Sequence, residues 1–423
     1  MKLSIAVSLW TSLILATSAA AQQLSRVEEA KGGTPVDPRN VDPYTKGVAT
    51  ALERAGYVGT GPFAITSRHG TAEVDALIGG GKMHWIETAH FRLGFDLPPL
   101  DLAGAERRLR EKLAGEFRQL AERLPGVGEP PRVLDPWLRA HLFAQRCEQT
   151  YAEFRRLTGY HDGDFPVKRR SLRMDDDWLG FGPHLGQAAK YVVLVFTEST
   201  DLRRYASEYL GTDDVRWPRR HDFGVGMPLA FLTALDFEGN LGDDTALHCH
   251  LAYSLIHNLC DGYRGYLFET PAWFKTGLAQ AIARRIDARY PSFDRPPDRR
   301  ADGRLDVDWE ARARSLVEHD GARSIAELGG WRDYADYRFH DYVLAWSRME
   351  FLMSKGDVAL ARFLHRMKAP LWPDYGTRDW NMVLSQQDRA IQEAFGFESL
   401  ADLDAAWAKW VRSRPKAVAR QGK

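Results

Sequence analysis

The sequence predicts an α+β protein with a small sheet on its N-terminal side and a mainly helical C-terminal part. Three observations carry that expectation. Runs suited to strands fall before residue 240, at His84–Asp96, Tyr191–Thr197 and Met227–Phe237. Beyond residue 240 the apolar residues recur at helical spacing, between caps and prolines. No internal repeat of 20 to 50 residues is evident, so strands early and helices late read as segregated structure.

Residues 1–21 read as a signal peptide. Lys2 supplies a short positive region, Leu3 to Leu15 is apolar or small, and Ala19-Ala20-Ala21 fits a cleavage site before Gln22. The apolar run is short for a membrane span, and no later segment is apolar enough for one. The expected location is therefore periplasmic or extracellular. The formal net charge of zero leaves no footprint for nucleic acid or an anionic membrane.

Residues 22–82, rich in Gly, Pro and polar residues, read as an irregular lead-in. His84–Asp96 has the mixed alternation of a strand. Asp101 opens a helix carrying Leu109, Leu113, Phe117 and Leu120, closed by Pro125. Asp135-Pro136 is an acidic cap followed by proline at the first helical position. Ala140, Phe143, Ala144, Cys147, Tyr151 and Phe154 then share one face, and Gly159 ends the helix. Tyr191–Thr197 reads as a buried strand, 200–210 as a short helix, and Met227–Phe237 as the next strand. Gly242 to Thr245 starts a helix that Asp261-Gly262 ends, and Thr270-Pro271 starts another by the same cap-plus-proline logic. Residues 291–308 form a loop or insertion. Residues 309–413 are helical, with Tyr342, Ala345, Trp346, Met349, Leu352 and Met353 on one face. Ser399 with Asp402 caps the last helix, which carries Leu403, Trp407 and Trp410. Residues 414–423 are a tail. The tryptophans, 13 in all, raise the idea of a glycan-binding surface, although at helical spacing core packing is the stronger reading.

Cys147, Cys249 and Cys260 are the only cysteines. The last two lie 11 residues apart on one expected helix, which is roughly 16 Å and beyond disulfide reach. Any bridge would use Cys147, and three buried reduced thiols are the other reading.

Chemistry concentrates in two segments, Tyr253-Ser254-Leu255-Ile256-His257 and Pro271-Ala272-Trp273-Phe274-Lys275-Thr276-Gly277-Leu278-Ala279. Residues at i and i+4 of a helix project from one face, which is how H-E-x-x-H brings two histidines to one zinc with the glutamate as general base. These segments keep the frame of H-E-x-x-H followed by P-x-W-x-x-E-G-L-A, but most of the chemical residues differ. They resemble the gluzincin superfamily of zinc peptidases, particularly its peptidase-MA-like bacterial branch of unknown function. The resemblance extends over about residues 84–412. It includes Glu87 to Phe91, the strand at Tyr191, and the ending Phe395 to Trp407. It implies a gluzincin-like fold, with residues 83–290 as the peptidase-MA-like α+β region. It also puts the zinc ligands at Tyr253, His257 and Thr276 and the general base at Ser254. Only His257 matches. A phenol is mostly neutral at pH 7, serine has no basic group, and threonine offers a neutral hydroxyl.

The expectation is therefore a non-catalytic pseudopeptidase acting in binding or scaffolding, with no cofactor. One alternative is an active metal-dependent hydrolase with unconventional ligands, for which His250, His257 and Asp261 on one helix are the candidate set with zinc. The other is a structural envelope protein whose cleft is filled. In the family, substrate lies along an edge strand, so a peptide or envelope protein would bind along residues 227–237.

Overall fold

Between Thr88 and Phe91 the extended run predicted over His84–Asp96 turns back on itself. Thr88 Oγ1 accepts a hydrogen bond from the Phe91 amide at 3.1 Å, and two strands result where one was expected. The computed structural model describes residues 41–167, 177–216, 218–224, 226–237, 241–294, 308–370 and 379–415. Residues 1–21, where a signal peptide is expected, residues 22–40 of the lead-in, most of the 291–308 loop and the tail beyond 415 lie outside them. Helix makes up 52% and strand 11%, so the class is α+β with a minority sheet. The chain forms two compact units, Met1–Gln149 with Gln187–Asp243 and Thr150–Gly186 with Asp244–Lys423.

The first unit contains α1 (Ala49–Ala55), β1 (Tyr57–Gly59), α2 (Thr71–Ile78), β2 (His84–Thr88), β3 (Phe91–Phe95), β4 (Leu100–Asp101), α3 (Arg107–Arg123) and β5 (Val133–Leu134). It continues with the first part of α4 (Pro136–Thr158), then β6 (Tyr191–Phe196), α5 (Ser199–Tyr209), β7 (Arg219–Asp222) and β8 (Leu229–Ala234). Six strands make one sheet in the order β1-β2-β3-β6-β8-β7, and β4 pairs with β5 separately. The centre is parallel, with Leu93 opposite Val193 and Val193 opposite Phe231. Both margins are antiparallel. Strands β6 and β8 are buried throughout, as suits the continuous apolar runs of a parallel centre. One face packs Val192, Leu194 and Leu232 against Val74 and Ile78 of α2 and Leu202 and Tyr205 of α5. On the other face Phe95 meets Phe143 of α4, with ring centroids 5.9 Å apart.

Two expectations are corrected in this unit. The lead-in 22–82 is not irregular in its described part, because Ile65, Val74 and Ile78 supply enough apolar surface to fix α2 in the core. The 227–237 segment forms a strand, but not an edge strand: β8 is hydrogen-bonded to β6 on one side and β7 on the other. The edge is β7, whose residues Arg219 to His221 are half-buried.

The second unit holds the end of α4 and then α6 (Asp244–Gly262), α7 (Ala272–Asp287), α8 (Trp309–Glu318), α9 (Ile325–Gly330), α10 (Phe339–Met353), α11 (Asp357–Met367), α12 (Trp380–Phe395) and α13 (Leu400–Ser413). Local chemistry explains several of these boundaries. Asp308 Oδ1 accepts from the Ala311 amide at 2.9 Å, and Ser399 Oγ from the Asp402 amide at 3.1 Å, both side-chain caps. Thr270 does not cap α7. That helix begins after Pro271, and Thr270 bonds Asp261 instead. All three cysteines are buried and none is in a disulfide.

Candidate functional site

Helix α6 is buried along almost its whole length, so its side chains meet protein on every side. Helix α7 packs against it and against α10. Gly277 permits the second contact, since a Cβ there would lie 2.5 Å from the Ala345 carbonyl oxygen and 3.0 Å from Met349 Cβ. The glycine of the P-x-W-x-x-x-G-L-A segment is thus a close-packing position.

On this scaffold the Tyr253 and His257 rings meet one turn apart, tilted at 47° with centroids at 4.7 Å, as the i, i+4 spacing allows. Both are fully buried, as is Thr276 on α7, and Ser254 is nearly so. The Tyr253 phenol donates to Asp294 Oδ2 at 2.5 Å. The same oxygen lies 3.9 Å from His257 Nε2. This is too long for a hydrogen bond but close enough for Coulomb attraction when the imidazole is charged. Tyr334 Oη lies 3.3 Å from the other ring nitrogen, Nδ1.

Asp294 reaches this position because the chain after α7 is fastened down. Gln280 Nε2 donates to the Ser292 carbonyl at 2.5 Å, and Phe293 meets Tyr342 edge-to-face at 5.0 Å. Tyr334 is steadied by Tyr337, at 5.2 Å between centroids. The Thr276 hydroxyl, where the resemblance expects a glutamate, has no hydrogen-bond partner among the described residues.

The alternative set His250, His257 and Asp261 is not assembled in this geometry. Asp261 Oδ1 accepts from the Thr270 amide at 2.9 Å and its hydroxyl at 2.8 Å, while Oδ2 accepts from Lys275 Nζ at 2.8 Å. The carboxylate joins α6 to the start of α7. Burial raises its pKa, but Lys275, Lys368 and the hydrogen bonds outweigh burial and hold it below the ordinary value. Burial also pushes the Lys368 ammonium down to about 8, against the pull of Asp261. The Cys260 thiol beside it is raised well above its usual range by burial, which keeps it protonated and a poor nucleophile. Among the described residues, no group of three or more His, Cys, Asp or Glu side chains is arranged to hold a metal ion.

Sequence reasoning located Tyr253, Ser254, His257 and Thr276 and missed Asp294 and Tyr334. Neither of the two lies in a helix or strand, and no spacing rule connects them to α6. The only hint was composition, since Trp331 to Phe339 holds four aromatic residues in nine positions.

The chain matches no family model, no curated protein and no solved structure.

Proposed function

We propose that this chain is an exported, non-hydrolytic protein of the cell envelope, built on a gluzincin-like framework. In this reading side-chain packing has taken the place of a catalytic metal, and the role is binding or scaffolding. The observation that carries the reading is the Tyr253–Asp294 hydrogen bond beside His257. A phenol stands where the resemblance expects a zinc histidine, and a carboxylate from outside the motif satisfies that phenol. Water activation needs a metal or a base next to an open position. Tyr253, His257 and Thr276 are fully buried and Asp294 is 2% exposed.

A peptide partner, if it binds by strand addition, would add to β7, because β8 already has neighbours on both sides.

Metal analysis of the purified protein, together with a casein hydrolysis assay, tests the reading. The expected result is no stoichiometric zinc and no hydrolysis. Stoichiometric zinc that His257→Ala removes would overturn the proposal and favour the metal-dependent hydrolase. The triple variant Tyr253→His, Ser254→Glu, Thr276→Glu restores the full motif and is expected to acquire zinc.

A further inference from the structure

Helices α7, α8, α10 and α13 leave an open groove that contains none of Tyr253, His257, Asp294 or Tyr334. One lobe, about 300 Å³, lies between α7 and α8 over α10. The other, a dip of about 20 Å³ with room for about one water, lies between α8 and the end of α13. Glu310, Trp346 and Glu350 line both lobes and join them. The larger lobe stands at the lower end of the range of about 300–1,000 Å³ usual for small-molecule sites.

Flat aromatic and guanidinium groups build the groove. Trp346 is half-buried and meets the buried Trp309 edge-to-face, at 5.8 Å and 78°. The Arg284 guanidinium lies 4.1 Å from the Trp309 ring and 5.2 Å from that of Trp346. At the other end Arg414 covers the half-buried Trp410 at 4.9 Å. Trp407, one turn earlier on α13, is a core residue and donates to Ser347 Oγ at 3.1 Å. Core packing, expected for both tryptophans, therefore holds for Trp407, while Trp410 faces the groove.

Charges along the groove nearly balance, with Arg284, Arg285, Arg314 and Arg414 against Asp308, Glu310 and Glu350. Arg414 Nη2 lies 2.6 Å from Glu310 Oε1, and Arg285 Nη2 lies 3.9 Å from Glu350 Oε1. Such pairing leaves little net field to attract an ion. It still leaves hydrogen-bonding capacity, because a carboxylate accepts about four hydrogen bonds and a guanidinium donates five. The Trp309 indole N–H, buried at the groove, has no partner among the described residues.

We propose that this groove binds a neutral oligosaccharide. The C–H face of a pyranose ring stacks on an indole, and its hydroxyl rim bonds the flanking carboxylates and guanidiniums. Trp346 is the stacking platform, and Glu310, Glu350 and Arg285 are the polar rim. Burial holds the Glu350 carboxyl above its ordinary value, opposed chiefly by Arg285.

The test titrates the full chain with chitotriose and with cellotriose, by calorimetry and tryptophan fluorescence. Pentapeptides of either charge are the comparison. Saturable binding of one trisaccharide with Kd below about 1 mM, weakened about tenfold or more by Trp346→Ala, supports the proposal. Should that variant lose its fold, Arg285→Ala and Glu350→Gln carry the test, each with a weakening of about threefold or more. The proposal is overturned if neither trisaccharide binds, if a charged pentapeptide binds more tightly, or if folded variants bind like the parent. No outcome depends on zinc content, so this test and that of the proposal at His257 fail separately.

Discussion

Tyr253 answers to two neighbours at once, the His257 ring one turn along α6 and the Asp294 carboxylate from the loop after α7. Tyr253→Phe keeps the ring contact and removes the phenol. The Asp294 side chain is only 2% exposed, so it loses a hydrogen bond that water cannot replace. The variant should unfold with about 1–3 kcal/mol less free energy in urea. Adding Asp294→Asn should recover part of the loss, and an unchanged melt would remove the phenol from the account of this site. Lys368 makes a different residue-scale case. Its ammonium donates to the Phe268 carbonyl at 3.0 Å and lies 4.4 Å over that ring, yet burial lowers it to about 8. Below pH 8 both folded and unfolded chains hold the proton, and the cost of burying it is fully present. From about 8 to 10.5 only the unfolded chain binds the proton, so this group's contribution to stability rises with pH, by an amount on the order of 3 kcal/mol. Lys368→Met should be at least as stable as the parent at pH 7, with the gap closing by pH 10. A gap constant across that range would show that the lysine does not titrate there. The motif positions were legible because H-E-x-x-H is a helix-face pattern. Asp294 and Tyr334 were not, because loops carry no period that links them to a helix.

At the scale of elements, the sequence was most informative where a terminus has a chemical cause. The cap at Ser399, the proline after Asp135 and the buried run Tyr191–Phe196 are all realised as expected. It was least informative for β7, where Arg219 to Asp222 form an edge strand with no apolar alternation. That strand exists because β8 offers backbone groups to pair with, and its existence moves the sheet edge away from 227–237. The α7–α10 contact gives the firmest element-scale prediction. In Gly277→Ala the new Cβ would meet the Ala345 carbonyl oxygen at 2.5 Å, and a backbone atom within a helix cannot turn aside. Substituting alanine for glycine normally favours a helix by about 1 kcal/mol. Here overpacking should reverse the sign, for a net loss of roughly 1–3 kcal/mol seen as a lower urea midpoint. A stabilised Gly277→Ala protein would mean that the two helices are not this close.

The whole molecule is two units that the chain enters more than once, crossing at Gln149/Thr150, Gly186/Gln187 and Asp243/Asp244. Nothing in the composition marks the first two crossings. One falls inside α4, whose apolar face runs on uninterrupted, and the reading of 83–290 as one region came from the family resemblance. The second unit depends on its early segment for specific bonds. Arg264, fully buried, donates Nε to the Trp178 carbonyl at 2.7 Å, and its amide bonds the Leu185 carbonyl at 2.8 Å. Phe154 packs edge-on to Tyr263 at 6.1 Å. A fragment of residues 244–415 keeps α6 to α13 but leaves the Arg264 guanidinium without its Trp178 carbonyl and exposes the Tyr263 ring. A buried charged donor that loses one hydrogen-bond partner typically costs about 1.5–3 kcal/mol, a large share of the net stability of about 5–15 kcal/mol of an ordinary domain. The fragment should keep helical far-UV circular dichroism, lose its near-UV signal, and unfold in urea without a sharp transition. Supplying residues 150–186 at its N-terminus through a flexible linker should restore the near-UV signal and cooperativity. A fragment that already melts cooperatively would show that the helices from Asp244 onward form a complete core without 150–186.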